Sequence, residues 1–167
     1  DSMGELNVPS DALYGAQTQR AVGNFPLSGR GMPESFIRAL LTAKAAAATA
    51  NVKLEQIPKD VGIAICKAAE QMLSCDDFMS HFPVDVFQTG SGTSSNMNVN
   101  EVLGTVASSI LGQAVNPNDH VNCGQSSNDI IPSTIHISAA LGLQQQLLPA
   151  LNHLSQVIKT KAESVDT

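Results

Sequence analysis

Apolar residues along this chain recur at helical spacing in four stretches, set apart by polar and Gly- or Pro-rich punctuation. From Glu34 to about Asn51, Ile37, Leu40, Leu41, Lys44 and the run Ala45 to Ala48 form an apolar or small face, and its alanines allow close helix contact. A second helix is predicted from Pro58, a favoured first-turn residue, to about Ser74, with Val61, Ile65, Ala68, Ala69 and Met72 on one stripe. A third starts around Thr93 to Ser95, good N-cap types, runs through Val102, Leu103, Val106 and Ile110, and stops at Gly112. The last runs from about Pro132 to the chain end, where Leu143, Leu147, Leu151, Leu154, Ile158 and Val165 repeat at fours and threes as in the seam of a helical bundle. Pro149 is expected to kink it.

The remaining segments read as connections. Asn7-Val8-Pro9-Ser10 and Asn24-Phe25-Pro26 punctuate the opening, Phe82-Pro83-Val84-Asp85-Val86-Phe87 is an extended linker with the makings of a short strand, and Asn116-Pro117-Asn118-Asp119 is a turn cluster. A mainly α fold follows. The leucine pattern still runs at Val165 without a Gly or Asn cap, so the polypeptide is expected to continue beyond Thr167. A start at Asp1 suggests likewise that the native beginning was trimmed.

Composition narrows the classes of function. With 167 residues, 43% hydrophobic and 14% charged, the chain has the length of one globular domain with a sizeable core. A net charge of −6, no Trp and a single Tyr argue against nucleic acid, which selects basic patches and stacking aromatics. No apolar run approaches the length of a membrane span. Cys66, Cys75 and Cys123 are odd in number and lack C-x-x-C spacing, which fits a reducing, cytosol-like compartment better than a disulfide framework or structural zinc.

Two segments carry candidate chemistry. Gly90-Ser91-Gly92-Thr93-Ser94-Ser95-Asn96-Met97-Asn98 and Gly124-Gln125-Ser126-Ser127-Asn128-Asp129 are dense in neutral hydrogen-bond donors, and each runs into a helical pattern. Glycines let backbone approach a ligand, and hydroxyls, carboxamides and the N–H groups of a helix start suit a carboxylate or phosphate. Yet no Lys or Arg lies between Lys67 and Lys159. An anion held there needs a cation from another subunit or from elsewhere in the polypeptide, because burying unpaired charge costs several kcal/mol, on the order of 3 to 5.

Other motifs fall away. The G-x-G of the first segment lacks the third glycine, where Ser95 stands, and has no acidic residue about 20 positions on, so it is not a dinucleotide fingerprint. No P-loop is present. His81, His120, His136 and His153 show no metal-ligand spacing, no nucleophile elbow supports a Ser/His/Asp triad, and Asp76-Asp77 reads as a solvated helix end.

The run from Gly90 to Val102 (GSGTSSNMNVNEV), with Pro117-Asn118-Asp119-His120-Val121-Asn122 and Gln125-Ser126-Ser127-Asn128-Asp129, closely resembles class II fumarases of the fumarase/aspartase superfamily. The stretch from Val8 to Arg20 matches as well. This resemblance implies a homotetrameric, cofactor-free, metal-free lyase interconverting fumarate and L-malate, with active sites assembled from three subunits. It implies a helical N-terminal domain over residues 1–131 and the start of the central bundle over residues 132–167. Ser91, Gly92 and Thr93 are expected to contact one substrate carboxylate, with Ser126, Ser127 and Asn128 reaching the same site from another subunit. Asn116, Pro117, Asn118 and Asp119 match a second, non-catalytic anion site. The catalytic serine loop, its lysine and a Thr-His pair are expected beyond Thr167, leaving no catalytic residue here. The implied location is cytoplasmic, or mitochondrial in a eukaryote. Asn116 replaces the family's usual His, as in aspartases, which keeps aspartate ammonia-lyase as an alternative, and a non-enzymatic helical assembly module is the alternative from another class. Ser91 and Ser127 favour the fumarase form, since aspartases typically carry Ala and Thr there.

Overall fold

A computed structural model describes residues 4–165. Its helices are α1 (Ala16–Asn24), α2 (Glu34–Lys53), α3 (Lys59–Ser74), α4 (Thr93–Leu111), α5 (Ser127–Gly142) and α6 (Leu148–Val165). Short 3-10 turns at Phe78–His81 and Gly90–Gly92, and wider π turns at Pro117–Val121 and Leu143–Leu147, join them. No strand is present among the described residues.

The body is built on α2, α3 and α4, whose apolar stripes meet in one core. Ile37, Leu40 and Leu41 of α2 join Val61, Ile65, Ala68 and Met72 of α3 and Val99, Val102 and Leu103 of α4 in it. Small residues set the spacing. A methyl group on Gly62 would collide with Val52, so the glycine lets α3 lie close against α2. Pro58 sits at the N-cap of α3, and Gly112 ends α4 in the left-handed conformation with φ of 74°, donating its N–H to Ser108 O at 2.9 Å.

Helix α1 has no counterpart in the sequence reading, because its cap is supplied from far along the chain. The Glu101 carboxylate on α4 accepts from Gly15 N (2.9 Å), Gln17 N (3.0 Å), Thr18 N (3.0 Å) and Thr18 Oγ1 (2.6 Å). These are the donors that a helix start leaves open, and a negative charge there opposes the helix dipole. A local pattern cannot reveal such a cap.

Residues 82–87 form no strand but a single antiparallel bridge between Gly31 and Asp85. The Asp85 side chain replaces ladder bonds: it accepts from the amides of Phe87, Ser28 and Gly29 and from the Ser28 hydroxyl at 2.7 to 2.9 Å. Those donors, the Phe87 amide foremost, hold the carboxyl at about 2, below the usual Asp range.

The last helix begins at Ser127 rather than Pro132, because Ser126 caps it through a bond from Asn128 N at 3.3 Å. Its first turns bury Ile130, Ile131 and Thr134 against the body. At Pro149 the expected kink is a widened turn. Proline lacks an N–H and its ring crowds the carbonyl four residues back, and the backbone opens into a π turn over Leu143–Leu147 before α6 resumes. No residue of α6 is buried. Leu143, Leu147, Leu151, Leu154, Ile158 and Val165 are 47 to 69% exposed, so the leucine seam is an open face.

Candidate anion site

The first donor segment is a strained turn feeding a helix. Ser91 (φ 59°) and Gly92 (φ 67°) are both left-handed, a conformation that costs a non-glycine residue roughly 1 kcal/mol or more. Gln88 clamps the turn from behind: its Oε1 accepts from Ser95 N at 2.8 Å, while its Nε2 donates to Ser95 Oγ at 2.9 Å and Asp85 O at 3.0 Å. Thr89 and Ser94 hydroxyls pair at 3.0 Å. With the turn fixed in this way, Ser91 is left exposed and Gly92 and Thr93 half-exposed at the start of α4.

The second donor segment lies against the first. A methyl group on Gly92 would sit 3.1 Å from Ile131 Cγ2, so the isoleucine would have to give way, and the φ of 67° disfavours a side chain there. Asn96, one turn into α4, donates to Ser127 Oγ and to Asn122 Oδ1, each at 3.2 Å. Ser126 and Asn128 are exposed and Ser127 half-buried. Within one chain α5 packs on the Gly90–Gly92 turn.

Behind the second segment sits a buried lysine. Lys44, on the buried face of α2, is 0% exposed and donates from Nζ to Gln125 Oε1 at 2.8 Å and Asn122 Oδ1 at 3.0 Å. Gln125 in turn donates to Val121 O and Cys123 O, and Asn122 donates to Gln125 O, which ties the loop into a knot around the ammonium. Burial pushes the Lys44 pKa from 10.5 down to about 7. The signal was in the sequence, since Lys44 falls on an otherwise apolar stripe, but its partners lie 78 and 81 residues away. Two acceptors nearby are unfulfilled: Asn96 Oδ1 and Asn100 Oδ1 are buried with no hydrogen-bond partner.

The turn at residues 116–119 closes on itself. Asn116 Oδ1 accepts from Asn118 N at 2.8 Å and Asp119 N at 3.0 Å, and Asn116 N donates to His120 Nδ1 at 3.0 Å. The Asn116 side chain thereby caps the turn that leads into Val121 and Asn122. Among the described residues no group of three His, Cys, Asp or Glu side chains converges as a metal site would require. A cleft of about 580 Å³ lined by Val22, Phe25, Met32, Met79 and Phe82 includes none of the donor residues. Among the described residues no helix is long and apolar enough to cross a membrane.

A helical body offering two adjacent donor-rich helix starts places the chain in one class of protein, and a family model described as lyase matches residues 4–167: the chain belongs to this lyase family. Within it, the chain corresponds to the N-terminal part of class II fumarate hydratases. It is 70% identical over 165 residues to fumarate hydratase class II 2 of Pseudomonas aeruginosa, covering 99% of this chain and 36% of that protein. Identity to fumarate hydratase class II of Xylella fastidiosa is 54% over 165 residues, covering 99% and 35%. Among solved structures, class II fumarase from Schistosoma mansoni superposes with a TM-score of 0.92 at 44% identity, covering 98% of this chain and 36% of that one. The chain thus spans little more than a third of the length of the relatives it matches. The all-α reading of the sequence holds.

Proposed function

We propose that this chain is the carboxylate-binding N-terminal part of a hydro-lyase that interconverts fumarate and L-malate. One observation carries the reading: within a single chain, Ser91, Gly92 and Thr93 at the start of α4 adjoin Ser126, Ser127 and Asn128 at the start of α5, linked by the Asn96 bond to Ser127 at 3.2 Å. The names of the relatives, fumarate hydratases of class II, support the same reaction.

The chemistry requires removing a proton from the carbon next to a malate carboxylate. The resulting carbanion is stabilised as an aci-carboxylate, and the hydroxyl then leaves as water on taking a proton from a general acid assigned, like the base, to the rest of the full-length protein. The barrier lies in the charge that builds on that carboxylate. Donors fixed before the substrate arrives lower it when they bind the charged transition state better than the ground state. Two helix starts, the hydroxyls of Ser91, Thr93, Ser126 and Ser127, and the Asn128 carboxamide are donors of this type. The base is assigned to the remainder of the full-length protein, so these 167 residues alone are expected to show no hydratase turnover above a matched blank. Assembly as a homotetramer through the open face of α6, and a cytoplasmic location, belong to the same proposal.

Fumarate absorbance followed over time with the full-length protein, with and without ammonia, tests the reaction. Loss of fumarate in plain buffer is the expected result. Loss only with ammonia would select the aspartate ammonia-lyase reading, which the Asn116-Pro117-Asn118-Asp119 turn favours. No loss in either would leave an anion-binding or assembly module. In the full-length protein Ser127→Ala is expected to lower kcat/KM by about 2 to 4 kcal/mol of transition-state stabilisation, and unchanged turnover and KM would remove Ser127 from the site.

A further inference from the structure

Lys44 presents a buried amine held by neutral partners. Its ammonium is enclosed by two neutral carboxamides, and among the described residues no carboxylate lies within ion-pair distance of it. A buried charge without a counter-charge is among the more costly arrangements in a protein, and an apolar residue of similar length would fill the space more cheaply. One hydrogen bond links Nζ to Gln125, whose backbone continues into Ser126. A second path runs through Asn122 Oδ1 and Asn96 Nδ2 to Ser127 Oγ, three bonds in all. Screening is weak in this dry interior, so a positive charge at Nζ is felt at the loop surface.

We propose that Lys44 is a positioning residue that holds residues 125–128 in place and, when protonated, supplies the positive potential that makes this half of the site select a dianion. The inference rests on the proposed function in one respect, that residues 126–128 receive a substrate carboxylate. It assigns the compensating charge at this position to α2 of the same chain. Asn96 is the coupling element: its amide group ties the lysine's acceptor to Ser127, and its unfulfilled Oδ1 is where an ordered water would complete the network.

The test uses the full-length protein and two probes of nearly equal shape. Succinate is an unreactive dianion, and succinamate carries an amide in place of one carboxylate. Both are titrated by calorimetry at pH 6, below the Lys44 pKa, into the wild type and Lys44→Met, which keeps the apolar stem and removes the charge. Succinate binding is expected to weaken about tenfold and succinamate binding much less, and the KM for fumarate is expected to rise by a similar factor while kcat falls less. Equal weakening of both probes, as a loop merely displaced would give, overturns the proposal, and so does no change in either. Should Lys44→Met fail to fold, Asn122→Asp sets a carboxylate beside the retained ammonium and cancels its charge, with the same selective loss of succinate expected. A wild type that neither hydrates fumarate nor binds succinate overturns the proposed function and this inference together. A wild type that hydrates fumarate, with a variant that binds both probes unchanged, overturns this inference alone.

Discussion

Around α2, α4 and the start of α5 the interior holds Lys44, Asn96, Asn98, Asn100 and Glu101, all buried, whereas α6 turns Leu148, Leu151, Leu154, Val157, Ile158 and Val165 to solvent at 50 to 69% exposure. Each region departs from the usual partition of polar and apolar side chains, and the two departures differ in kind. In the body the polar groups are mostly satisfied within the chain: Glu101 collects four donors and Asn98 donates to His81 O at 2.9 Å. The exceptions are the Lys44 amine, held by neutral partners, and the carboxamide oxygens of Asn96 and Asn100. Along α6 the apolar stripe is exposed from end to end. The body thus leaves a few buried polar groups unmatched, while the helical rod leaves a whole apolar face uncovered.

The largest effect is expected where the rod is attacked. Leu151→Asp with Leu154→Asp in the full-length protein replaces two side chains whose burial in an assembly would contribute about 1.5 to 3 kcal/mol each in every copy. Sedimentation velocity is expected to show the assembly dissociated. The unmodified 167 residues are expected to self-associate through the same face, and light scattering that reports a clean monomer would break the comparison by making the rod self-sufficient.

Next in size is the body's own polar closure. Glu101→Ala strands the amides of Gly15, Gln17 and Thr18, each costing about 1 to 3 kcal/mol where water cannot reach. Urea unfolding is expected to show a loss of about 3 kcal/mol or more, and amide exchange to speed first in α1. A loss below about 1 kcal/mol would mean that solvent replaces the carboxylate and that the interior is less dry than its packing implies.

An effect comparable in size to the loss at Glu101 is expected in the pH dependence. The Lys44 pKa is about 7 in the folded protein against 10.5 for the free side chain, because burial disfavours the charged form. Between those values the unfolded chain holds a proton that the folded protein has released, so this group makes stability rise with pH, on the order of 1 kcal/mol per pH unit, levelling off above 10.5. Urea midpoints from pH 6.5 to 10 for the wild type and Lys44→Met read it directly. The rise is expected in the wild type and absent in the variant, and parallel profiles would show that the ammonium is not desolvated.

Helices α2, α3 and α4 were legible because their evidence is local: period, capping types and the glycine at 112 lie within each segment. The two donor segments were legible for the same reason, as clusters of small polar residues before helical patterns. Helix α1 was not, since its cap stands on α4. The strand suggested for residues 82–87 read correctly as extended but gave way to the Asp85 side chain, which occupies the neighbouring amides. Lys44 was seen as part of a helix face and not as part of a site, because nothing within α2 says that residues 122 and 125 fold over it.

By itself, then, the sequence determined where the main helices run, that α6 carries an apolar seam, and which short segments are rich enough in donors to meet an anion. Those properties depend on spacing within a few turns. Only the tertiary structure decided that the two donor segments meet inside one chain, that Glu101 builds α1, that Asn116 consumes the amides of its own turn, and that a lysine from α2 stands behind Ser126 and Ser127. Each of those contacts but the Asn116 turn joins residues at least 31 apart in the chain, and burial sets its strength, which no local pattern records.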